Sequence, residues 1–191
     1  MGTVGLVETV ERLIRSTQEL LWERGYVGTS PKAIQRAAEA GQGSMYHHFA
    51  GKAELAKAAI ERSGAELRAA AETQLGGAGT ATERITGYLG RERQVLKGCQ
   101  VGRLAADPDV IADPALRAPV AETFEWLRGR LAEVVAEGKR NGEYPETLDP
   151  ARTAATIAAV LQGGYVLARA AGSTEPFELA VNGLVDLLEA K

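Results

Sequence analysis

Ser44, His47 and His48 share one short stretch, and residues of these types could do hydrolytic or metal chemistry. The pattern supports neither. A serine nucleophile needs a base and an acid to orient that base, and neither an orienting acid nor a Gly-x-Ser-x-Gly elbow accompanies Ser44. Adjacent helical histidines point about 100° apart, and no cysteine or second histidine pair lies nearby to complete a metal set. Gly41-Gln42-Gly43 is no phosphate loop, because no strand precedes it. No catalytic group, metal or cofactor is therefore expected. What these residues can do is make contacts. The amide of Gln42 can bond adenine, Gly43 lets backbone come close to bases, and Ser44 can reach a base edge or a phosphate. Tyr46 and His47 suit a phosphate or a thymine methyl. A narrow helix with such groups at its N-terminal end, and no acidic residue, is shaped for a DNA major groove.

Lys52 sharpens the expectation. It falls near the first turn of the next helix, where a cation opposes the helix dipole at a cost of about 0.3–1 kcal/mol. A phosphate neutralising it would explain its place. Ser30 and Lys32, at the start of the preceding helix, complete the expected DNA contacts. Ile34, Ala37, Met45 and Phe49 are read as core, and His48 as packed against the same module.

The elements that must position these groups are all helical. Leu6, Val10, Leu13, Ile14, Thr17, Leu20 and Leu21 follow i, i+3, i+4 spacing, and the helix should stop at a left-handed Gly25. Tyr26 and Val27 then offer apolar cover. Ser30-Pro31 is a helix start, serine capping and proline tolerated at the first position. That helix is expected over 31–37 or 31–38, a second over about 42–49, and a third from Lys52 to about Gln74, roughly 34 Å long at 1.5 Å per residue. Gly76-Gly77-Ala78-Gly79 breaks it. Further helices are expected at about 81–97, 101–106, 114–141, 150–171 and 176–190, with Asp107-Pro108 and Asp113-Pro114 as punctuation. No strand-like alternation occurs, so the fold is expected to be all-α, with about nine helices.

The chain has 191 residues, 45% of them apolar, and a formal charge of −3. Residues 1–60 carry seven Lys/Arg against six Asp/Glu, and residues 61–191 carry fifteen against nineteen. The acidity thus sits in the second part, which leaves nucleic-acid binding by the first permissible. The single cysteine, Cys99, excludes an intrachain disulfide and points to a reducing compartment. No signal-peptide pattern opens the chain, and no segment approaches the uninterrupted apolar length of a membrane span. A cytoplasmic location is expected, without a membrane partner.

Thr29-Ser30, Ile34, Ala37-Ala38, Gly43-Ser44-Met45-Tyr46-His47-His48-Phe49 and Lys52-Ala53-Glu54-Leu55 resemble, in register, the N-terminal signature of TetR-family transcriptional repressors. The likeness covers about residues 5–56. Farther on, Gly98-Cys99 and Leu104-Ala105-Ala106 resemble the LmrA/YxaF-like subgroup. The resemblance implies a helix-turn-helix DNA-binding domain over 1–52 and a ligand-binding and dimerisation domain over 53–191. It implies a homodimer on a palindromic operator, held through the last two helices, and a small apolar or aromatic effector. Tyr88, Arg93, Cys99, Phe124, Trp126 and Tyr165 are the candidates for contacting that effector. Leu161, Gly164, Tyr165, Leu167, Ala168, Leu179, Gly183, Leu184, Leu187 and Leu188 could build the dimer contact or an ordinary core. The turn departs from the family pattern. Glu39-Ala40-Gly41 stands where Ala-Gly-Val-Ser is usual, which predicts a helical or differently bent connection and a cap without a side-chain acceptor. The competing reading is a helical small-molecule binder with lost DNA function, favoured by the near-neutral first part and a recognition helix free of Arg and Lys.

Overall fold

In the computed structural model, which describes residues 3–189 and side chains from residue 7 onward, the first apolar face closes as helix α1 (Thr3–Arg24). Leu13, Ile14, Thr17, Leu20 and Leu21 are buried along it. The side chain of Leu6 lies outside the described residues. Gly25 ends the helix in the left-handed region at φ 72°, and a Cβ there would lie 2.8 Å from Oδ2 of Asp107. Handedness and space both call for glycine.

Helix α2 (Pro31–Ala37) is capped by Ser30, whose Oγ accepts from the Ala33 N–H at 3.2 Å. Helix α3 (Gln42–His48) buries Met45, and Phe49 follows it into the core at i+4. Two expectations are corrected here. Ala37 is exposed and Ala38 is the buried residue, because i+4 from Ile34 falls on 38. Val27 is exposed rather than covering the next element. Helix α4 (Lys52–Leu75) begins where Glu54 Oε2 accepts from the Ala50 N–H at 2.6 Å.

Helix α5 (Ala81–Gly90) starts at a reciprocal capping box between Thr80 and Glu83. It stops at Gly90, short of the expected 97. The Arg93 guanidinium folds back onto the carbonyls of Tyr88 and Leu89 and so replaces the next helical turn. A 3₁₀ turn occupies Gly102–Ala106. The expected break at Asp107-Pro108 is instead the start of helix α6 (Pro108–Ala112), with Asp107 as its cap. Helix α7 (Pro114–Arg140), helix α8 (Pro150–Ala171) and helix α9 (Glu175–Glu189) match the expected spans within a residue. Asp149 caps α8, and Gly172 at φ 64° ends it. Among the described residues there are nine α-helices and no strand. The fold is all-α, as the periodicity predicts.

The chain forms two compact units, Met1–Ala65 with Gln100–Ala121, and Glu66–Cys99 with Glu122–Lys191. In the first, α1 packs on α2 and α3, and Leu13, Ile34, Met45, Leu55 and Ile60 are fully buried. In the second, α8 packs along α9 over a core that includes Ile85, Leu89, Leu131, Ile157 and Phe177. A Cβ on Gly164 would sit 2.9 Å from the Phe177 ring, so this glycine sets how closely the two helices approach. Contrary to the sequence expectation, α8 is long and apolar enough by length and composition to cross a membrane. Ala154, Ile157, Ala158, Leu161, Gly164 and Ala168 nonetheless turn one of its faces into the core.

Candidate nucleic-acid interface

The first unit offers α3 from a rigid base. Met45 is fully buried beneath the helix, and Gln35 Nε2 contacts its sulfur at 3.5 Å. The Arg12 Nε–H donates to the Ala38 carbonyl at 3.1 Å and ties α1 to the end of α2. Against that base, Gln42, Gly43, Tyr46 and His47 are exposed and Ser44 is half-buried. Lys32 is exposed on α2, and Ser30 is exposed with its hydroxyl already used as the cap. His48 is half-buried beside Val10, Ile14 and Arg62, with its ring edge-on to His47.

The turn between α2 and α3 departs from expectation. Glu39 takes φ 49°, the left-handed conformation that a glycine would normally supply. The Ala40 N–H donates to the Gln35 carbonyl at 2.9 Å and the Glu39 N–H to Arg36 at 3.3 Å. This is the pairing of a Schellman helix end. The connection is therefore an ordinary helix-terminating turn, held despite the glutamate, rather than a differently bent one. Gly41 caps α3 with no side-chain bond, as its lack of an acceptor requires.

Lys52 has a neighbour that spacing could not reveal. Its Nζ lies 3.7 Å from the centroid of the Tyr26 ring. Burial lowers the lysine pKa, while the carboxylates of Asp107 and Asp109 act to raise it. Burial also pushes the Tyr26 phenol up, and Asp113, Asp109 and Asp107 add to that. A phosphate is thus not the sole explanation for this cation at the start of α4.

Asp107 is the residue that sequence reading missed. It is buried, and its Oδ2 accepts from the N–H groups of Tyr26 at 2.7 Å and Val27 at 3.1 Å. Its Oδ1 accepts from Asp109 at 3.2 Å and Val110 at 3.4 Å. One carboxylate therefore caps α6 and fixes the loop from α1 to α2. The Asp-Pro pair is a cap signal, but nothing local indicates the bonds to Tyr26 and Val27.

Of the six effector candidates, four come together in the second unit. The Arg93 guanidinium lies 5.3 Å from the Tyr88 ring centroid and 6.0 Å from that of Phe177. Tyr165 packs on Phe177 with ring centroids 4.9 Å apart. Burial pushes the Tyr165 phenol up to about 12; Cys99 adds to the rise, and Arg93 opposes it. Trp126 packs against the core of the same unit. Phe124 is half-buried and, among the described residues, shares no ring contact or hydrogen bond with this group. Arg91, not among the candidates, also lies over Tyr88, at 5.6 Å.

A three-helix head with a groove-sized helix on its surface, joined to a second all-helical unit, defines a helix-turn-helix regulator. The chain belongs to the TetR family. The family model described as bacterial regulatory proteins, tetR family, matches residues 13–59. The model for the tetracyclin repressor-like C-terminal domain matches residues 81–184. The HTH-type transcriptional repressor DhaR of Mycobacterium sp. (strain GP1) is 23% identical over 171 residues, spanning 88% of this chain and 86% of DhaR. The HTH-type transcriptional regulator LmrA of Bacillus subtilis (strain 168) is 27% identical over 188 residues, 94% of this chain and 96% of LmrA. A TetR regulator from Chloroflexus aurantiacus J-10-FL superposes with a TM-score of 0.87 at 26% identity, covering 99% of this chain and 98% of that one. The chain is a transcriptional regulator with a DNA-binding N-terminal domain, and its relatives are regulators, not enzymes.

Proposed function

We propose that residues 1–52 form the DNA-binding domain of a homodimeric repressor and residues 53–191 its ligand-binding and dimerisation domain. Gln42, Gly43 and Ser44 face base edges of a palindromic operator. Ser30, Lys32, Tyr46, His47 and Lys52 face phosphates, Lys52 leaving the Tyr26 ring to do so. Half-sites lie about 34–36 Å apart or a multiple of that. A small effector with an apolar or aromatic body, bound by the second unit, relieves repression in the cytoplasm.

The observation that carries this reading is Gly43. A Cβ there would meet nothing within 4 Å, and Gly43 is not among the residues with positive φ. A helical glycine costs about 0.8–1.0 kcal/mol relative to alanine, and neither packing nor backbone of this chain requires it. The open space at Gly43 leaves room for a base edge to reach the backbone beside the exposed Gln42. The test is fluorescence anisotropy with DNA from upstream of the regulator's own gene, at low salt. Wild type should bind, and Gly43→Leu should lose at least about tenfold in affinity, on the scale of about 1–3 kcal/mol for a base contact. Its thermal stability should stay equal or rise. Unchanged DNA affinity in a folded Gly43→Leu protein would defeat the assignment.

Dimerisation through α8 and α9 is supported by what the monomer leaves uncovered. Leu161, Gly164, Ala168 and Leu184 are core, whereas Val166 (67%), Leu167 (54%), Leu179 (65%) and Leu187 (76%) are exposed. An apolar stripe of this kind marks an interface. Leu187→Asp should convert a dimer to a monomer in sedimentation velocity, and a dimer that persists at the same concentration counts against this face.

A further inference from the structure

Two arginines in the second unit, Arg91 and Arg93, have no ion-pair partner among the described residues. The Arg93 guanidinium donates to the carbonyls of Leu89 and Arg91, both at 2.7 Å, and to that of Tyr88. These bonds give Arg93 a structural task, ending α5. They do not neutralise it, because the carbonyl end of a helix carries only about half a charge. Arg91 is less well served. Its Nε is buried and has no hydrogen-bond partner among the described residues. Both guanidinium groups rest on one phenol ring, Tyr88, at 5.6 and 5.3 Å from its centroid.

No carboxylate pairs with either group among the described residues. Glu92, between them in sequence, is exposed and bridges to neither. The charged and phenolic neighbours acting on Arg93 are Tyr165, Arg91 and Tyr88; burial and the Arg91 charge both lower its pKa. Two like charges, both half-buried on one ring with no carboxylate paired to either, leave room for an anion to be favourable there. The surrounding groups are apolar or phenolic: Phe177 lies 6.0 Å from Arg93, and Tyr165 stacks on Phe177. Tyr165 has no hydrogen-bond partner among the described residues, so its hydroxyl is free to donate.

We propose that Arg91 and Arg93, on the Tyr88 ring beside Tyr165, form an anion-binding end of the effector site, which selects a carboxylate carried on an aromatic body. This rests on the reading of the second unit as the effector domain and adds the charge of the effector to it. The guanidinium N–H groups not taken by carbonyls would donate to the carboxylate. Tyr165 and Phe177 would flank the ring that bears it. A carboxylate suits the pair better than a more highly charged group, because Arg93 already spends donors on backbone.

The test uses the full-length protein and matched probes, benzoate and phenylacetate against benzamide and phenylacetamide, which differ chiefly in charge. Binding is read by calorimetry and by thermal shift. The acids should bind at least tenfold more tightly than the amides. Arg91→Gln should remove that preference by weakening the acids at least tenfold while leaving the amides as they were. Amides that bind as well as the acids, acids that fail to bind wild type, or an acid preference that survives in Arg91→Gln would each overturn the proposal. Should Arg91→Gln not fold, the acid-to-amide ratio of the wild type decides alone. Operator binding measured in parallel keeps the two readings apart. Amides that bind equally well and release DNA would sink the anion site and leave the regulator standing. Acid-selective binding by a protein that holds no operator DNA would do the reverse.

Discussion

The recognition helix and the arginine–tyrosine group of the second unit offer polar chemistry in opposite ways. On α3, the groups offered to a partner are at the surface, and separate groups beneath them do the holding: Met45, Phe49, Ile34, and Asp107 below the loop from α1 to α2. In the second unit the offered groups are themselves structural. Arg93 ends α5, Tyr88 is core, and Tyr165 packs on the Phe177 that separates α8 from α9. The first arrangement lets contact residues change at little cost to folding. The second ties any change in ligand chemistry to stability.

The largest expected effect lies in the holding layer of the first unit. Asp107→Ala removes the acceptor of four N–H groups, those of Tyr26, Val27, Asp109 and Val110. Buried donors left unpaired cost about 1–3 kcal/mol each at most, and a lost cap about 0.5–2. A total near 3 kcal/mol allows for overlap and some rescue by water. Urea denaturation should show that loss, whereas Gly43→Leu should show none. If the two variants were equally stable, the division between offering and holding groups in the first unit would not stand.

Next in size is Gly164→Val. The added Cβ would meet Phe177 at 2.9 Å, within a buried helix contact. Overpacking of this kind costs about 1–3 kcal/mol. Because Phe177 touches Tyr165 and lies near Arg93, binding of an aromatic acid should weaken along with stability. A variant that lost stability yet bound aromatic acids as before would show that the two are not tied in this unit.

The same contrast explains how much could be read from sequence. The end of α1, the start of α2 and both ends of α8 were legible because each carries a local signal: Gly25, Ser30-Pro31, Asp149-Pro150 and Gly172. The exposed set on α3 was legible from residue type, since Met45 and Phe49 are apolar while helical spacing alone would put Gln42, Met45, Tyr46 and Phe49 on one face. What was not legible depends on distant partners. Nothing near Asp107 signals that it will bind Tyr26 and Val27, nor does anything near Lys52 signal the Tyr26 ring. The end of α5 was misplaced because the helical pattern continues through Gln94, while the terminating contact comes from the Arg93 side chain folding back. Arg91 was missed because its significance lies in what fails to pair with it.

The smallest effect is expected at Glu39, where the first unit departs from its own logic by placing strain next to the exposed helix. Its φ of 49° is unfavourable for a residue with a side chain, by about 1–2 kcal/mol. The Schellman bonds from Ala40 to Gln35 and from Glu39 to Arg36 hold it there. Glycine would remove that strain but loses about 0.4–1 kcal/mol through the freer unfolded chain. Glu39→Gly should therefore gain about 0.5 kcal/mol, small but positive, with both hydrogen bonds kept. The substitution also deletes a negative charge one turn from Gln42, so DNA affinity should rise slightly, and more at low salt than at high. A clear fall in stability would mean that the glutamate makes its own contribution to the turn. It would also mean that the surface of the first unit is less separable from its scaffold than Gly43 implies.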